Sequence, residues 1–239
     1  MKIALIGYGK MGKAIEQICL RKGHEVIIKI NSGNSGEMTP ANLMKADVAI
    51  EFTSPEFAVQ NLKMCFESGL PVVCGTTGWL ANFAEVKQLC TEYEGALVYA
   101  SNFSIGVNLF FELNKKLARL MKEHPEYDVI LEETHHTQKK DSPSGTAISL
   151  AEQVIEIIPG KKRWINAKSG NNEDLLIRSY RTDPAPGIHS IRYTSAVDDI
   201  EIIHTAHSRE GFASGAVLAA EFIRDKRGIF GMKEVLGIG

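Results

Sequence analysis

Over the first hundred positions, short apolar runs alternate with stretches whose apolar residues recur every three or four places, the pattern of strands joined through helices. Lys2–Ile6 reads as a strand, and residues 13–21 then place Ala14, Ile15, Ile18 and Cys19 on one helical face. Further strands are predicted at 24–30, 47–52, 71–74 and Ala96–Tyr99. Helices are predicted from Pro55, carrying Phe57, Ala58, Leu62 and Phe66, and over 79–92. Strands linked this way lie parallel, because a parallel pair needs a crossover and the crossover is right-handed. A doubly wound parallel sheet of the α/β class is the expected result.

The rhythm then changes. Residues 107–121 form a long amphipathic helical pattern, 127–135 a strand, and 145–158 a helix closed by Pro159-Gly160. From Leu175 to Ala206 come at least three strand-like runs with no helix between them, including 187–195 and Asp199–Ala206. Such a succession predicts a second, α+β domain with an antiparallel or mixed sheet. A last helix over 211–224, rich in small residues, is expected to return to the first domain. The change of pattern places hinges near 102–106 and 207–210.

Composition narrows the function classes. Hydrophobic residues are 44% and charged residues 23%, the ordinary globular balance, which argues against disorder or a membrane protein. A formal charge of -2 with scattered Lys and Arg offers no footprint for nucleic acid. The opening apolar run stops at Gly7, too soon for a signal sequence, so a cytoplasmic location is expected. Cys19, Cys65, Cys74 and Cys90 form no Cys-x-x-Cys pair and read as buried small hydrophobes.

The candidate chemistry lies in a few segments. Gly7-Tyr8-Gly9-Lys10-Met11-Gly12 follows a strand and opens a helix, the context of a dinucleotide-binding turn. There Gly7 permits the tight turn, Gly9 the approach of a pyrophosphate, and Gly12 the contact of helix with strand. The second strand ends Lys29-Ile30-Asn31-Ser32 without the carboxylate that usually holds the ribose hydroxyls, which disfavours strict NAD use. Lys29 is either a partner for a 2′-phosphate or a solvated lysine. Phe52-Thr53-Ser54-Pro55 and Gly75-Thr76-Thr77-Gly78 offer hydroxyls at the strand ends where such sheets bind ligands, or serve only as helix caps.

The densest group is Glu132-Glu133-Thr134-His135-His136-Thr137-Gln138-Lys139-Lys140-Asp141-Ser142-Pro143-Ser144-Gly145-Thr146. It combines a proton donor, positive charge and a helix start that seats an anion. His135 and His136 are successive on a strand and point to opposite faces, so no metal is expected.

Taken together, Gly-Tyr-Gly-Lys-Met-Gly at 7–12, Gly-Thr-Thr-Gly at 75–78, Ser-Asn-Phe-Ser-Ile-Gly-Val-Asn at 101–108, His-His-x-x-Lys-x-Asp-Ser-Pro-Ser-Gly-Thr at 135–146 and Gly-Ile-His-Ser-Ile-Arg at 187–192 closely resemble the bacterial dihydrodipicolinate reductases of the diaminopimelate route to lysine. The resemblance implies NADH- or NADPH-dependent reduction of 4-hydroxy-tetrahydrodipicolinate, with loss of water. It implies a Rossmann domain over 1–104 and 208–239, and a substrate and tetramerisation domain with a mixed sheet over 105–207. His135 is then the proton donor and Lys139 the cation at the reacting imine. His136, Ser144, Gly145 and Thr146 would hold the substrate carboxylates. Gly7 to Gly12, Thr53, Gly75, Thr76, Thr77, Ser101, Asn102 and Phe103 would hold the cofactor.

The chain departs from the family's usual pattern at Tyr193-Thr194-Ser195 and Val197-Asp198-Asp199, which puts the hairpin there in question, and at Lys29 to Ser32, where NADPH preference or dual use is expected. Two other classes remain as alternatives: another two-domain dehydrogenase, of the aspartate or homoserine type, and a non-catalytic nicotinamide sensor.

Overall fold

A computed structural model of the chain describes residues 1–208 and 210–238. It divides into two compact units: one comprises Met1–Ile105 and the segment from Glu210 onward, and the other begins at Gly106. Of the expected hinge at 207–210, Arg209 lies outside the described residues.

The first unit begins with β1 (Lys2–Ile6), α1 (Lys10–Arg21), β2 (Glu25–Ile30), the short α2 (Pro40–Leu43), β3 (Val48–Glu51) and α3 (Pro55–Glu67). It continues through β4 (Val72–Cys74), α4 (Phe83–Glu92) and β5 (Ala96–Tyr99). The second unit contains most of α5 (Ile105–Met121), then β6 (Asp128–His135), α6 (Gly145–Ile157), β7 (Arg163–Ile165), β8 (Asp174–Arg181), β9 (Gly187–Thr194) and β10 (Asp199–Ala206). The chain then re-enters the first unit as α7 (Glu210–Ile223), β11 (Gly228–Phe230) and α8 (Met232–Leu236).

Strands of the first unit run in the order β11-β5-β4-β3-β1-β2 with every pairing parallel. Successive residues of a strand face opposite sides, so the apolar run of β1 feeds two cores. Ile3 and Leu5 pack with α1 and α7 residues such as Ile15, Ile18, Ala216 and Ala220, while Ala4 and Ile6 pack with Leu62, Phe66 and Val86 from α3 and α4. This is the doubly wound sheet that the apolar spacing implied.

Helix starts differ from the apolar spacing where the glycine turn and an indole intervene. α1 begins at Lys10, three positions before the first apolar face residues suggested, because Gly9 caps it directly out of the turn. α4 begins at Phe83 after a 3-10 turn over Leu80–Asn82, since the buried Trp79 commits its indole N–H to the Thr76 carbonyl at 2.8 Å. The four cysteines are free and buried, and burial pushes the Cys19 thiol up to about 11.

The second sheet is mixed, in the order β10-β9-β6-β8-β7: β9 runs antiparallel to both β10 and β6, whereas β8 runs parallel to β6 and β7. Val129, Leu131, Leu175, Ile177, Ile191 and Tyr193 join Phe110 of α5 and Leu150 and Val154 of α6 in one core. The opposite face leaves Tyr180 and Ile203 exposed. At the departure from the family pattern, Tyr193 is buried and a regular hairpin turn forms: the Ser195 N–H donates to the Asp198 carbonyl at 3.0 Å, and Ser195 Oγ accepts from Val197 and Asp198 at 3.1 Å.

Gly215, in the middle of α7, is where the returning helix meets the chain most closely. A Cβ there would stand 1.7 Å from the Phe103 carbonyl oxygen, a backbone atom that cannot swing aside. Gly215→Ala should therefore destabilise the protein by about 3 kcal/mol, the upper part of the range for overpacking, read as a lowered midpoint in urea unfolding.

Candidate functional site

In the first unit, β1, β3, β4 and β5 bring their C-terminal ends to one edge, and β1 lies between β2 and β3, where the chain's winding reverses. The glycine turn sits at this switch point. Gly7 and Tyr8 donate to the Ile30 carbonyl at 3.0 and 2.7 Å, which ties the turn to the end of β2. Gly7 has φ of +96°, and a Cβ there would meet the Phe52 carbonyl oxygen at 2.0 Å; one on Gly12 would meet the Gly7 carbonyl oxygen at 2.6 Å. Gly9 differs, because a Cβ on it would meet nothing within 4 Å. Thus Gly7 and Gly12 serve the chain's own packing, while Gly9 leaves open room at the start of α1. No acidic residue lies in that first turn, so its N–H groups and the helix dipole suit a pyrophosphate.

The other segments cluster around Phe52, whose role nothing in the sequence marks. A Cβ on Gly75 would stand 2.1 Å from the Phe52 ring, and Phe103 packs on that ring with centroids 5.8 Å apart. Thr53 donates its N–H to Thr76 Oγ1 at 2.8 Å and to the wholly buried Glu51 at 3.1 Å. Thr77 and Ser101 are exposed, and Asn102 Oδ1 accepts from the Ser104 N–H at 2.8 Å.

Lys29 is exposed but paired: its Nζ lies 2.5 Å from Glu16 Oε1 and 5.2 Å from the centre of the Tyr8 ring, and Tyr8 donates its hydroxyl to the same carboxylate. Hydrogen bonds from Lys29 and then Tyr8 hold Glu16 below the ordinary carboxylate range. α1 thus brings a carboxylate to Lys29 of β2.

In the second unit, alternation along β6 buries Val129, Leu131, Glu133 and His135 on one face. Glu133 pairs across the sheet with His189 of β9 and Ser179 of β8, and His135 with Arg181. Above this face lies the start of α6, where Ser144 Oγ caps the helix by accepting from the Ala147 N–H. The Ser144 N–H donates to both Glu133 oxygens at 3.1 Å, and Ser144 Oγ lies 3.1 Å from His189 Nε2. The same carboxylate has His135 Nδ1 at 3.5 Å, Arg181 Nη2 at 3.5 Å and His189 Nε2 at 3.7 Å. Nothing in the sequence marks Glu133, Arg181 or His189 for a role, although Glu133 lies in the 132–146 group and His189 in the 187–192 segment.

Lys139 holds Asp141 with both oxygens at 2.7 and 2.8 Å, and Gly145 is exposed at the helix start. His136 is half-buried just beyond β6, and Thr146 lies half-buried in the first turn of α6. His135, Lys139, Ser144 and Gly145 therefore gather at one end of β6 and α6.

Burial works against the charged form of Glu133, but the Ser144 and Ser179 hydroxyls, the Ser144 N–H and His135 outweigh it, and the carboxyl stays below its ordinary range. Burial pushes His135 down, Lys139 and Arg181 add to this, and Glu133 opposes it. His189 falls to about 4, first through burial and then through His135. The ligand atoms of Glu133, His135 and His189 lie within 4.8 Å of one another, a spacing that suits a metal. The Ser144 N–H and the Arg181 guanidinium already occupy that carboxylate, which weighs against one.

A glycine turn at the switch point of a parallel Rossmann sheet, joined to a mixed-sheet unit carrying a buried acid–base cluster, defines a two-domain nicotinamide-dependent oxidoreductase. The sequence profile of the dihydrodipicolinate reductase N-terminus matches residues 1–103, and that of the C-terminus matches residues 106–236. The chain belongs to the dihydrodipicolinate reductase family. It is 48% identical to the 4-hydroxy-tetrahydrodipicolinate reductase of Christiangramia forsetii, over 99% of this chain and 98% of that one. It is 33% identical to that of Methanosarcina barkeri, over 97% and 83%. The fold matches a dipicolinate-bound dihydrodipicolinate reductase from Paenisporosarcina sp. TG-14 with a TM-score of 0.77, at 22% identity over 97% of each chain.

Because His189 takes up its proton only near pH 4 when folded, the unfolded chain binds more protons between that value and the ordinary histidine pKa of about 6.5. Stability should therefore fall as pH drops through this window, by up to about 3 kcal/mol from this residue. Urea unfolding at pH 7, 6, 5 and 4 checks this, and His189→Gln should flatten the dependence.

Proposed function

We propose that this chain reduces 4-hydroxy-tetrahydrodipicolinate to tetrahydrodipicolinate, with loss of water, in the diaminopimelate route to lysine. Family membership along nearly the whole chain supports the reaction, and the gathering of His135, Lys139 and the α6 start is the observation that carries its residue assignments. NADH or NADPH supplies the hydride when bound. Gly7, Tyr8, Gly9, Lys10, Met11 and Gly12 hold its pyrophosphate. Thr53, Gly75, Thr76, Thr77 and the 101–103 backbone line the rest of its seat. Lys29 and Glu16 place one cation and one anion beside the turn, which supports use of both nucleotides.

His135 donates the proton that accompanies hydride addition, and Lys139 stabilises the negative charge that develops at the imine. His136, Ser144, Gly145 and Thr146 seat the two carboxylates, using the N-terminal end of the α6 dipole. Asp141 neutralises Lys139 at rest, so the incoming dicarboxylate displaces one carboxylate with another.

The dinucleotide domain takes in 1–104 and 208–239, and the substrate domain 105–207. The sheet face that exposes Tyr180 and Ile203 supports assembly of that domain into a homotetramer. No helix among the described residues is long and apolar enough to cross a membrane, in keeping with a cytoplasmic biosynthetic enzyme.

Mixing the protein with the condensation product of pyruvate and aspartate semialdehyde should oxidise NADH and NADPH, seen as loss of nicotinamide absorbance. His135→Ala should lower kcat by about a hundredfold or more, and Lys139→Ala should lower kcat and raise the substrate KM together. Absence of oxidation with either nucleotide would overturn the reading.

A further inference from the structure

We propose that Glu133 is the positioning residue of the proton donor, holding the His135 ring with its Nδ1–H turned inward so that Nε2 is the atom that delivers the proton. This rests on the assignment of His135 as the acid.

The geometry begins with strand alternation, which places positions 133 and 135 of β6 on the same buried face. His135 Nδ1 is buried without a hydrogen-bond partner, and Glu133 Oε2 stands 3.5 Å from it. Catalytic hydrogen bonds are often this long in ligand-free enzymes and tighten with substrate. Meanwhile Glu133 cannot rotate away, because the Ser144 N–H donates to both its oxygens.

On its other edge, His135 is bare by design of the backbone. A Cβ on Gly187 would approach Nε2 to 3.2 Å, so the absence of a side chain at that position is what leaves this atom room.

The charged groups packed around the pair come from each neighbouring element. Arg181 of β8 and His189 of β9 reach the carboxylate, Ser144 of α6 donates to it, and Lys139 and Asp141 act on His135 from the following loop. Arg181 and the Ser144 N–H share the carboxylate's charge, so Glu133 orients the ring without taking its proton.

The step balances simply. The imidazolium of His135 would give its Nε2 proton to the substrate, whose hydride a bound NADH or NADPH would supply; the N–H bond breaks, and the ring remains neutral with its proton on Nδ1. Water returns a proton to Nε2 before the next turnover.

Nitrogen NMR of the wild-type protein carrying ¹⁵N-labelled histidine is the first test, and it needs no variant to fold. At pH 8, His135 should show a protonated Nδ1 and a bare Nε2; the reverse tautomer would overturn the proposal. Glu133→Gln keeps an acceptor for Ser144 but removes the charge. It should lower kcat at pH 7.5 by about tenfold or more and move the alkaline limb of the pH–rate profile to lower pH, with substrate KM little changed. Glu133→Asp should leave that limb in place. A folded Glu133→Gln enzyme of lowered thermal stability with an unmoved limb would show a structural role only and overturn the proposal. His135→Gln separates the two readings: retention of the wild-type rate and profile would remove His135 as the acid, whatever the tautomer.

Discussion

The polar cluster of the second unit is arranged around one carboxylate kept out of water. An isolated charge in a protein interior costs several kcal/mol unless it is hydrogen-bonded and paired, and Glu133 is almost wholly buried. The sheet must therefore deliver His189 and Ser179 opposite it, Arg181 two residues further along opposite His135, and the first turn of α6 directly above. A slip of one residue in the β6 register would turn Glu133 to the open face and strand its partners. The same carboxylate thus pins both the start of α6 and the ring of His135.

The first unit reaches a precise site by the opposite means, omission rather than charge. Its closest approaches are shaped by side chains that are not there: Gly7 and Gly75 both make way for Phe52, and Gly215 makes way for the backbone at Phe103. At the glycine turn, Gly9, whose missing Cβ would meet nothing, leaves space at the start of α1 that the protein does not fill itself.

Much of the fold was legible because long elements repeat their apolar spacing. β1, β2, β6, β9, β10 and the larger helices carry that signal directly, and the short β3, β4 and β5 show as largely apolar runs between predicted helices. The edge strands β7 and β11 and the short α2 span too few residues for a period to show, and their partners alone define them. At the site, His135, Lys139 and the α6 start stood together in one stretch of chain. Glu133 could not be distinguished from Glu132 by sequence, since which face of β6 is buried depends on packing. Arg181 and His189 reach the cluster only through strand register, across separations of 48 and 56 positions from Glu133 respectively in the sequence numbering. Likewise, the Glu16 carboxylate sits thirteen positions before Lys29, on α1, where a search at the end of β2 would not look.

The two glycines that face Phe52 have different evolutionary standing. What obstructs a side chain at Gly75 is the Phe52 ring, and a smaller residue at 52 would lift that ban. What obstructs one at Gly7 is the carbonyl of the same residue, which every amino acid carries. Gly75 is therefore conditional on its neighbour's identity and free to co-vary with it, whereas Gly7 is fixed by the path of the main chain. Lineages that exchange Phe52 can relax the first constraint and still inherit the second.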